Sequence, residues 1–389
     1  MNKPEQDFQY IDHQEPLDQL TAKLIATDDE VAIDIEADSL YHYYHKVCLL
    51  QLTFDSNDYI VDPLAGLEFD NFYNALSEKD LILHNGDYDL RMMRSSFGFK
   101  LKKTFFDTMV AARLLGYEHY SLATIVNDMF DFSMSKKGQK SDWSRRPLSD
   151  MQVEYAVYDT RFLKRIADDF RAKLLELNRL HWLEQCCDKL MATVEIDKPD
   201  PDPDRQWRIK GIKWFNPRQL ALVKNIWLWR EEQAQITDVP PFKVMGNQLI
   251  IDLAIWKSEK PYSKLKNADC PRLPRNCSGD RFRSLGKAIK DAFELKIEDC
   301  PQPIKSNFVP RPAGEMFKKL KDSCQEIADD LKIDSSVLAP RAALTAISRN
   351  RPTTVDEIVQ CSDLLPWQAE LINDTVQDLA SKYPPELTC

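Results

Sequence analysis

A chain of 389 residues with 43% hydrophobic and 29% charged side chains carries enough apolar matter for two or three cored domains and too much for a disordered one. No apolar run approaches the ~18 residues of a membrane helix, and Met1-Asn-Lys-Pro-Glu-Gln6 lacks signal-peptide character, so no membrane association and a cytoplasmic location are expected. Nine scattered cysteines without a C-x-x-C pair, and six histidines all at or before His181, exclude a disulfide scaffold and a Cys/His zinc cluster.

The elements follow in chain order. Leu17, Leu20 and Leu24 share one side of a helix over residues 14–26. Three strands are predicted next, at residues 31–36, 47–54 and 59–61; the second is apolar on both faces and belongs in the middle of a sheet. A helix starts at Asp70, and a fourth strand over residues 81–84 turns at Asn85-Gly86 into a helix that ends at Phe97-Gly98. Residues 101–106 read as a fifth strand. A meander followed by alternating strands and helices implies a mixed five-stranded α/β sheet covered by helices.

Helices then take over. Asp107-Thr108 caps one, Ser121 begins another, and Ser149-Asp-Met-Gln152 is a capping box opening a long helix to about residue 180. Before that box lies the basic loop 135–147, which could follow phosphates and offer Trp143 to a base, or be a plain surface loop. The alternating Asp and Pro of residues 197–204 make a stiff linker. The expected domains are residues 1–196, an Asp/Pro linker at 197–210, a helical domain at 211–295, a linker at 296–312 and a second helical domain at 313–389.

Charge divides along the same lines. Residues 1–200 hold 23 Lys and Arg against 36 Asp and Glu, a net of −13; residues 205–305 hold 20 against 11, a net of +9; residues 306–389 hold 9 against 13, a net of −4. An acidic catalytic part beside a basic part that grips a polyanion is one reading, and a solvated basic face is the other.

Four separated acids stand out. In Val31-Ala-Ile-Asp-Ile-Glu36 the period of 2 sends Asp34 and Glu36 to one face of an otherwise apolar strand. Burying unpaired carboxylates costs several kcal/mol or more, and two acids spaced i, i+2 can grip one divalent cation; an edge strand with a wet face is the alternative. Asp89 opens a helix after a strand, where it could simply offset the dipole. Tyr155 and Asp159 lie four apart on one helix face.

Together with Val47-Cys-Leu-Leu-Gln-Leu52, Leu83-His-Asn-Gly-Asp-Tyr-Asp-Leu90, Phe106-Asp-Thr108, Lys140-Ser-Asp-Trp143, Arg146-Pro-Leu-Ser149 and Tyr155-Ala-Val-Tyr-Asp159, these acids resemble the DEDD 3′→5′ exonucleases. The likeness is to the subgroup with a tyrosine in the third motif, and to the ribonuclease D family in particular. Beyond Gly211 the helical domains resemble paired helicase-and-RNase-D C-terminal (HRDC) domains, so the resemblance covers nearly the whole chain.

The resemblance implies a ribonuclease-H-like exonuclease fold followed by two all-α domains. It also implies two divalent ions, Mg²⁺ or Mn²⁺, held by Asp34, Glu36, Asp89 and Asp159, with Tyr155 orienting the attacking water. Asp89 follows His84 by the family's five positions, which leaves Asp87 as a helix cap. His84, Asn85, Lys140, Trp143, Arg145 and Arg146 are candidate RNA contacts. The expected activity is 3′→5′ trimming of RNA such as tRNA precursors to nucleoside 5′-monophosphates, by a monomer. The alternatives are a DNA 3′→5′ exonuclease, since no motif reports the 2′-hydroxyl, and a catalytically dead RNA-binding scaffold.

Overall fold

The structure is a computed structural model that describes residues 8–196, 202–303 and 313–383. The chain forms two compact units: Met1–Ala37, Val47–Ile196 and Val309–Cys389 make the first, Asp38–Lys46 and Asp197–Phe308 the second.

In the first unit β1 (Phe8–Ile11) precedes α1 (Gln14–Ala26), and β2 (Val31–Ala37), β3 (Val47–Phe54) and β4 (Asn57–Val61) form a meander. Then come α2 (Asp70–Ser77), β5 (Leu81–Leu83), α3 (Asp87–Phe97), β6 (Phe105–Asp107), α4 (Thr108–Leu114) and α5 (Leu122–Phe130). The sheet runs β1-β4-β3-β2-β5-β6, antiparallel through the meander and parallel at both flanks. All eight residues of β3 are buried, as its two-faced apolar run requires.

The mixed sheet therefore has six strands, not five. The missed strand, Phe-Gln-Tyr-Ile, is four residues long and among the described residues pairs on one side, so it carries no alternation to read. Within 101–106, residues 101–104 do not join the ladder: Leu101 is buried, but pairing starts at Phe105.

The long helix expected over 149–180 is divided into α6 (Asp150–Arg161) and α7 (Leu163–Glu176), and α8 (Leu180–Glu195) follows. Ser149 and Gln152 form the capping box that starts α6.

The first unit closes with α14 (Ala313–Leu331), α15 (Ser335–Leu338), α16 (Arg341–Asn350), α17 (Val355–Ser362) and α18 (Pro366–Lys382). These helices share one apolar core with the sheet layer. Trp367 stacks on Trp182 at 4.3 Å and 11°. The buried Arg179 guanidinium donates to the carbonyls of Leu114 and Leu331, both at 2.8 Å. Gly116 has φ +85°, and a Cβ there would lie 2.0 Å from the Lys332 carbonyl, so only glycine allows this approach.

The second unit contains α9 (Pro203–Gln206), α10 (Pro217–Ile236), α11 (Pro241–Val244), α12 (Asn247–Glu259) and α13 (Gly279–Glu294). Asn216 and Gln219 cap α10 reciprocally. Of the two expected linkers, residues 197–201 and 304–312 lie outside the described residues. Residues 202–210 are not loose: Trp207 is 1% exposed in the unit's core. The segment 38–46 belongs here too, because Asp238 accepts the Tyr43 and Tyr44 amides at 3.0 and 3.1 Å and His42 Nδ1 at 2.7 Å.

Candidate active site

Strand β2 presents Val31, Ile33 and Ile35 to the core, each 5% exposed or less, and Asp34 and Glu36 to the other face. Helix α6 lies over that face with Tyr155 and Asp159 one turn apart. One oxygen each from Asp34, Glu36 and Asp159 fall within 4.8 Å of one another. Asp89, on the first turn of α3, is 7% exposed and close enough to repel Asp34 and Asp159. The ladder register shifts between Glu36 and Ala37, a local irregularity next to the acids.

These carboxylates are mutually unfavourable. Burial pushes Asp34 up to about 7. Burial and then the charges of Asp34, Asp159 and Asp89 hold Glu36 well above its usual range. Asp89 and Asp159 are raised by burial first and by Asp34 second. A cluster of buried carboxylates of which Glu36, Asp89 and Asp159 are raised by their neighbours' charges is poorly placed for stability and well placed for a hard divalent cation, which takes all-oxygen ligands. The all-carboxylate donor set therefore fits a divalent cation that takes oxygen ligands.

Tyr155 sits in the same cluster. Burial, followed by the charges of Asp159, Glu36 and Asp34, drives its phenol upward, so it stays protonated and can donate a hydrogen bond. Gly138 packs directly on it: a Cβ there would lie 2.6 Å from the Tyr155 Cβ.

The two acids of the second motif separate clearly. Asp89 faces the cluster, whereas Asp87 is half exposed and pairs with Arg91 at 2.9 Å. Asp87 is not the helix cap expected for it; the capping position is Gly86, with no side-chain bond. The His84 ring lies 2.9 Å from the Thr108 hydroxyl, and burial lowers its pKa. Asn85 is exposed in a left-handed conformation, φ +66°.

Among the loop candidates, Lys140 and Arg145 are exposed, the latter in contact with Asp142 at 2.9 Å. Trp143 corrects the expectation: it is 1% exposed, with its ring 6.1 Å from that of Tyr155, so no open aromatic face remains for a base. In a loop otherwise polar, the single large apolar side chain gains more from burial than from display. Arg146 is also committed, donating to both Asp62 oxygens and to the Cys48 carbonyl at 2.7 Å.

Two contributors escaped the sequence reading. Asp107 does more than the capping expected of it: its carboxylate accepts the Asn85 and Gly86 amides at 3.1 and 2.9 Å as well as those of Met109 and Val110, so it fixes the turn before Asp89. Its place in Phe106-Asp-Thr108 was the available signal. Gln51, directly opposite Asp34 on β3, is 1% exposed, and neither amide atom has a partner among the described residues. A glutamine inside an otherwise apolar strand was the signal there.

The chain also matches known proteins. A 3′-5′ exonuclease family model matches residues 8–198, and an HRDC domain model matches 219–259 and 313–379. The chain is similar to ribonuclease D of Acidiphilium cryptum, 30% identical over 370 residues, covering 91% of this chain and 88% of that protein. It is also similar to ribonuclease D of Cronobacter turicensis, 27% identical over 368 residues, covering 92% and 96%. Its fold resembles the crystal structure of Escherichia coli RNase D, with a TM-score of 0.69 at 22% identity over 99% of this chain and 100% of that one.

Proposed function

The chain belongs to the ribonuclease D family of 3′→5′ exoribonucleases, and from that premise we propose that it trims structured RNA 3′ ends, such as those of tRNA precursors, to nucleoside 5′-monophosphates. Enzymes of this exonuclease family depend on divalent metal and act on RNA. The observation that carries the finer reading is the convergence of three carboxylate oxygens within 4.8 Å, with Asp89 and Tyr155 beside them.

In this reading two ions, Mg²⁺ or Mn²⁺, are held at the cluster. Asp34 would help hold both, Glu36 and Asp159 the ion on the nucleophile side, and Asp89 the other. Bound there, the ions supply charge stabilisation for the attacking and departing oxygens of an in-line displacement and make water more acidic. The protein's own part is positioning. Tyr155 donates to the attacking water and orients it, since a phenol with an ordinary pKa of about 10 is a poor base at neutral pH. Asp107 holds the 84–86 turn so that His84 and Asn85 can meet the terminal nucleotide, and Lys140 and Arg145 lie along the phosphates behind it. Among the described residues no helix is long and apolar enough to cross a membrane; a monomer acting in the cytoplasm completes the proposal.

The test is release of 5′-mononucleotides from 3′-labelled single-stranded RNA and DNA, each with Mg²⁺ and with EDTA. RNA hydrolysed faster than DNA, and only with metal, is the expected result. Faster DNA hydrolysis would favour the deoxyribonuclease alternative, and no hydrolysis of either would favour a dead scaffold. Asp34→Asn keeps the shape but removes the shared charge, so turnover should fall by several orders of magnitude, each factor of ten being about 1.4 kcal/mol of barrier. More than about a tenth of wild-type turnover would count against Asp34 as the shared ligand.

A further inference from the structure

The second unit contains a cleft of about 680 Å³ formed by the end of α12, the segment 261–266 and one face of α13. Its inner wall is apolar, with Leu265, Phe282, Ile289 and Phe293. Four lysines and one glutamate stand among its lining residues. Lys257 is occupied within the wall, donating to the Pro261 and Ser263 carbonyls at 2.7 and 3.0 Å, which fixes the turn of the segment. Lys264, Lys266 and Lys290 are exposed at the rim.

Two residues make little sense for packing alone. Tyr262 lines the cleft yet is 96% exposed, so its ring buries almost nothing. Gly286 lies inside α13, where glycine is less favourable than alanine. It is not among the glycines with positive φ, and an added Cβ would meet only Leu265 Cδ1, at 3.8 Å. Neither strain nor crowding demands glycine there. What its missing side chain provides is open space above the cleft floor.

We propose that this cleft is a subsite for the single-stranded body of the RNA. One unstacked base enters over Gly286 against Phe282 and Phe293, Tyr262 offers a face for stacking, and Lys264, Lys266 and Lys290 meet the flanking phosphates. A polyanion suits the site because residues 205–305 carry a net +9 in a chain of net −10. An aromatic and apolar wall accepts any base, which suits an enzyme that must hold RNA of varied sequence. The inference rests on the reading of RNA as substrate.

The test uses the full chain in EDTA, where hydrolysis is arrested, with fluorescence anisotropy of a labelled 20-nucleotide poly(U). Lys264→Ala with Lys266→Ala should weaken binding at least fivefold and flatten the log–log salt slope by about 1.4, two phosphate contacts at roughly 0.7 each. Tyr262→Ala should weaken binding roughly fivefold or more with the slope unchanged. Gly286→Leu fills the cleft without altering charge and should do the same, and Gly286→Ala, which puts one carbon where the base enters, should give a smaller loss; melting curves establish that each variant is folded.

Wild-type affinity in all four variants overturns the subsite and leaves the cleft to a protein partner. A loss confined to the lysine pair overturns base insertion. Mononucleotide release by the wild type with Mg²⁺ is scored separately. Its absence sinks the exonuclease reading, and the anisotropy series still decides the cleft.

Discussion

Tyr155 is a residue whose chemistry is set almost wholly by its neighbours. Burial, and then the charges of Asp159, Glu36 and Asp34, push its phenol upward, and what a phenol can offer the reaction is one oriented hydrogen bond. Tyr155→Phe should therefore lower kcat roughly 10- to 1000-fold and leave metal affinity, read from the Mn²⁺ dependence of the melting temperature, close to wild type. Unchanged kcat would remove Tyr155 from the mechanism. Gly138 tests the same contact from behind. Its Cβ would need the space of the Tyr155 Cβ and ring, 2.6 and 2.8 Å away, so Gly138→Ala must displace either the loop or the tyrosine. A kcat loss of at least tenfold, with a melting temperature near wild type, is the expected outcome; full activity would mean that the loop yields and Tyr155 does not depend on it.

At the scale of elements, the basic loop 135–147 is a brace as much as a surface. Trp143 fills the space between α6 and the sheet, and Arg146 reaches Asp62 and the Cys48 carbonyl. Burial alone would raise the Asp62 carboxyl, but hydrogen bonds from Arg146 and Tyr10 carry it below its usual value. A carboxyl depressed in the folded state stabilises the protein above its unfolded pKa and loses that contribution as pH falls through the folded one. Arg146→Met should thus cost about 2–3 kcal/mol at pH 7 by leaving Asp62 buried and unpaired. The gap in melting temperature from wild type should shrink as pH falls through the acid range toward the depressed pKa of Asp62. A gap that stays constant with pH would show that Arg146 acts through packing. The loop also marks where the sequence was hard to read. Strand β2, the α6 capping box and the Tyr155–Asp159 turn were legible because each is a local rule: period 2, a reciprocal cap, a spacing of four. Whether Trp143 and Arg146 face solvent or the sheet depends on Asp62 and Cys48, about 80 to 100 residues earlier, and no local pattern reports that. Strand β1 failed for the same reason, since its partner among the described residues is β4, some 50 residues away.

The whole molecule divides differently from the sequence. Linker composition and the paired HRDC-like patterns set residues 313–389 apart from the nuclease, yet α14 and α16–α18 share the nuclease core. The reason is apolar surface: α8 carries Trp182, Leu183 and Cys187 on its buried face, and Trp367 of α18 covers part of that face. Periodicity shows that α8 has an apolar face but not what covers it. One core means one fate. Trp367→Ala opens a void beneath α8 and should cost about 3–5 kcal/mol, lowering the midpoint of thermal inactivation of the nuclease by roughly 10 °C. A separate C-terminal domain would instead melt early and leave inactivation where it was. The contrast with the second unit sharpens the test. Trp207 is equally buried, but in a different core, so Trp207→Ala should weaken poly(U) binding while hydrolysis of a trinucleotide persists to near the wild-type inactivation temperature. If both tryptophan variants inactivate the nuclease at the same lowered temperature, the two cores unfold as one and the division into units has no energetic meaning.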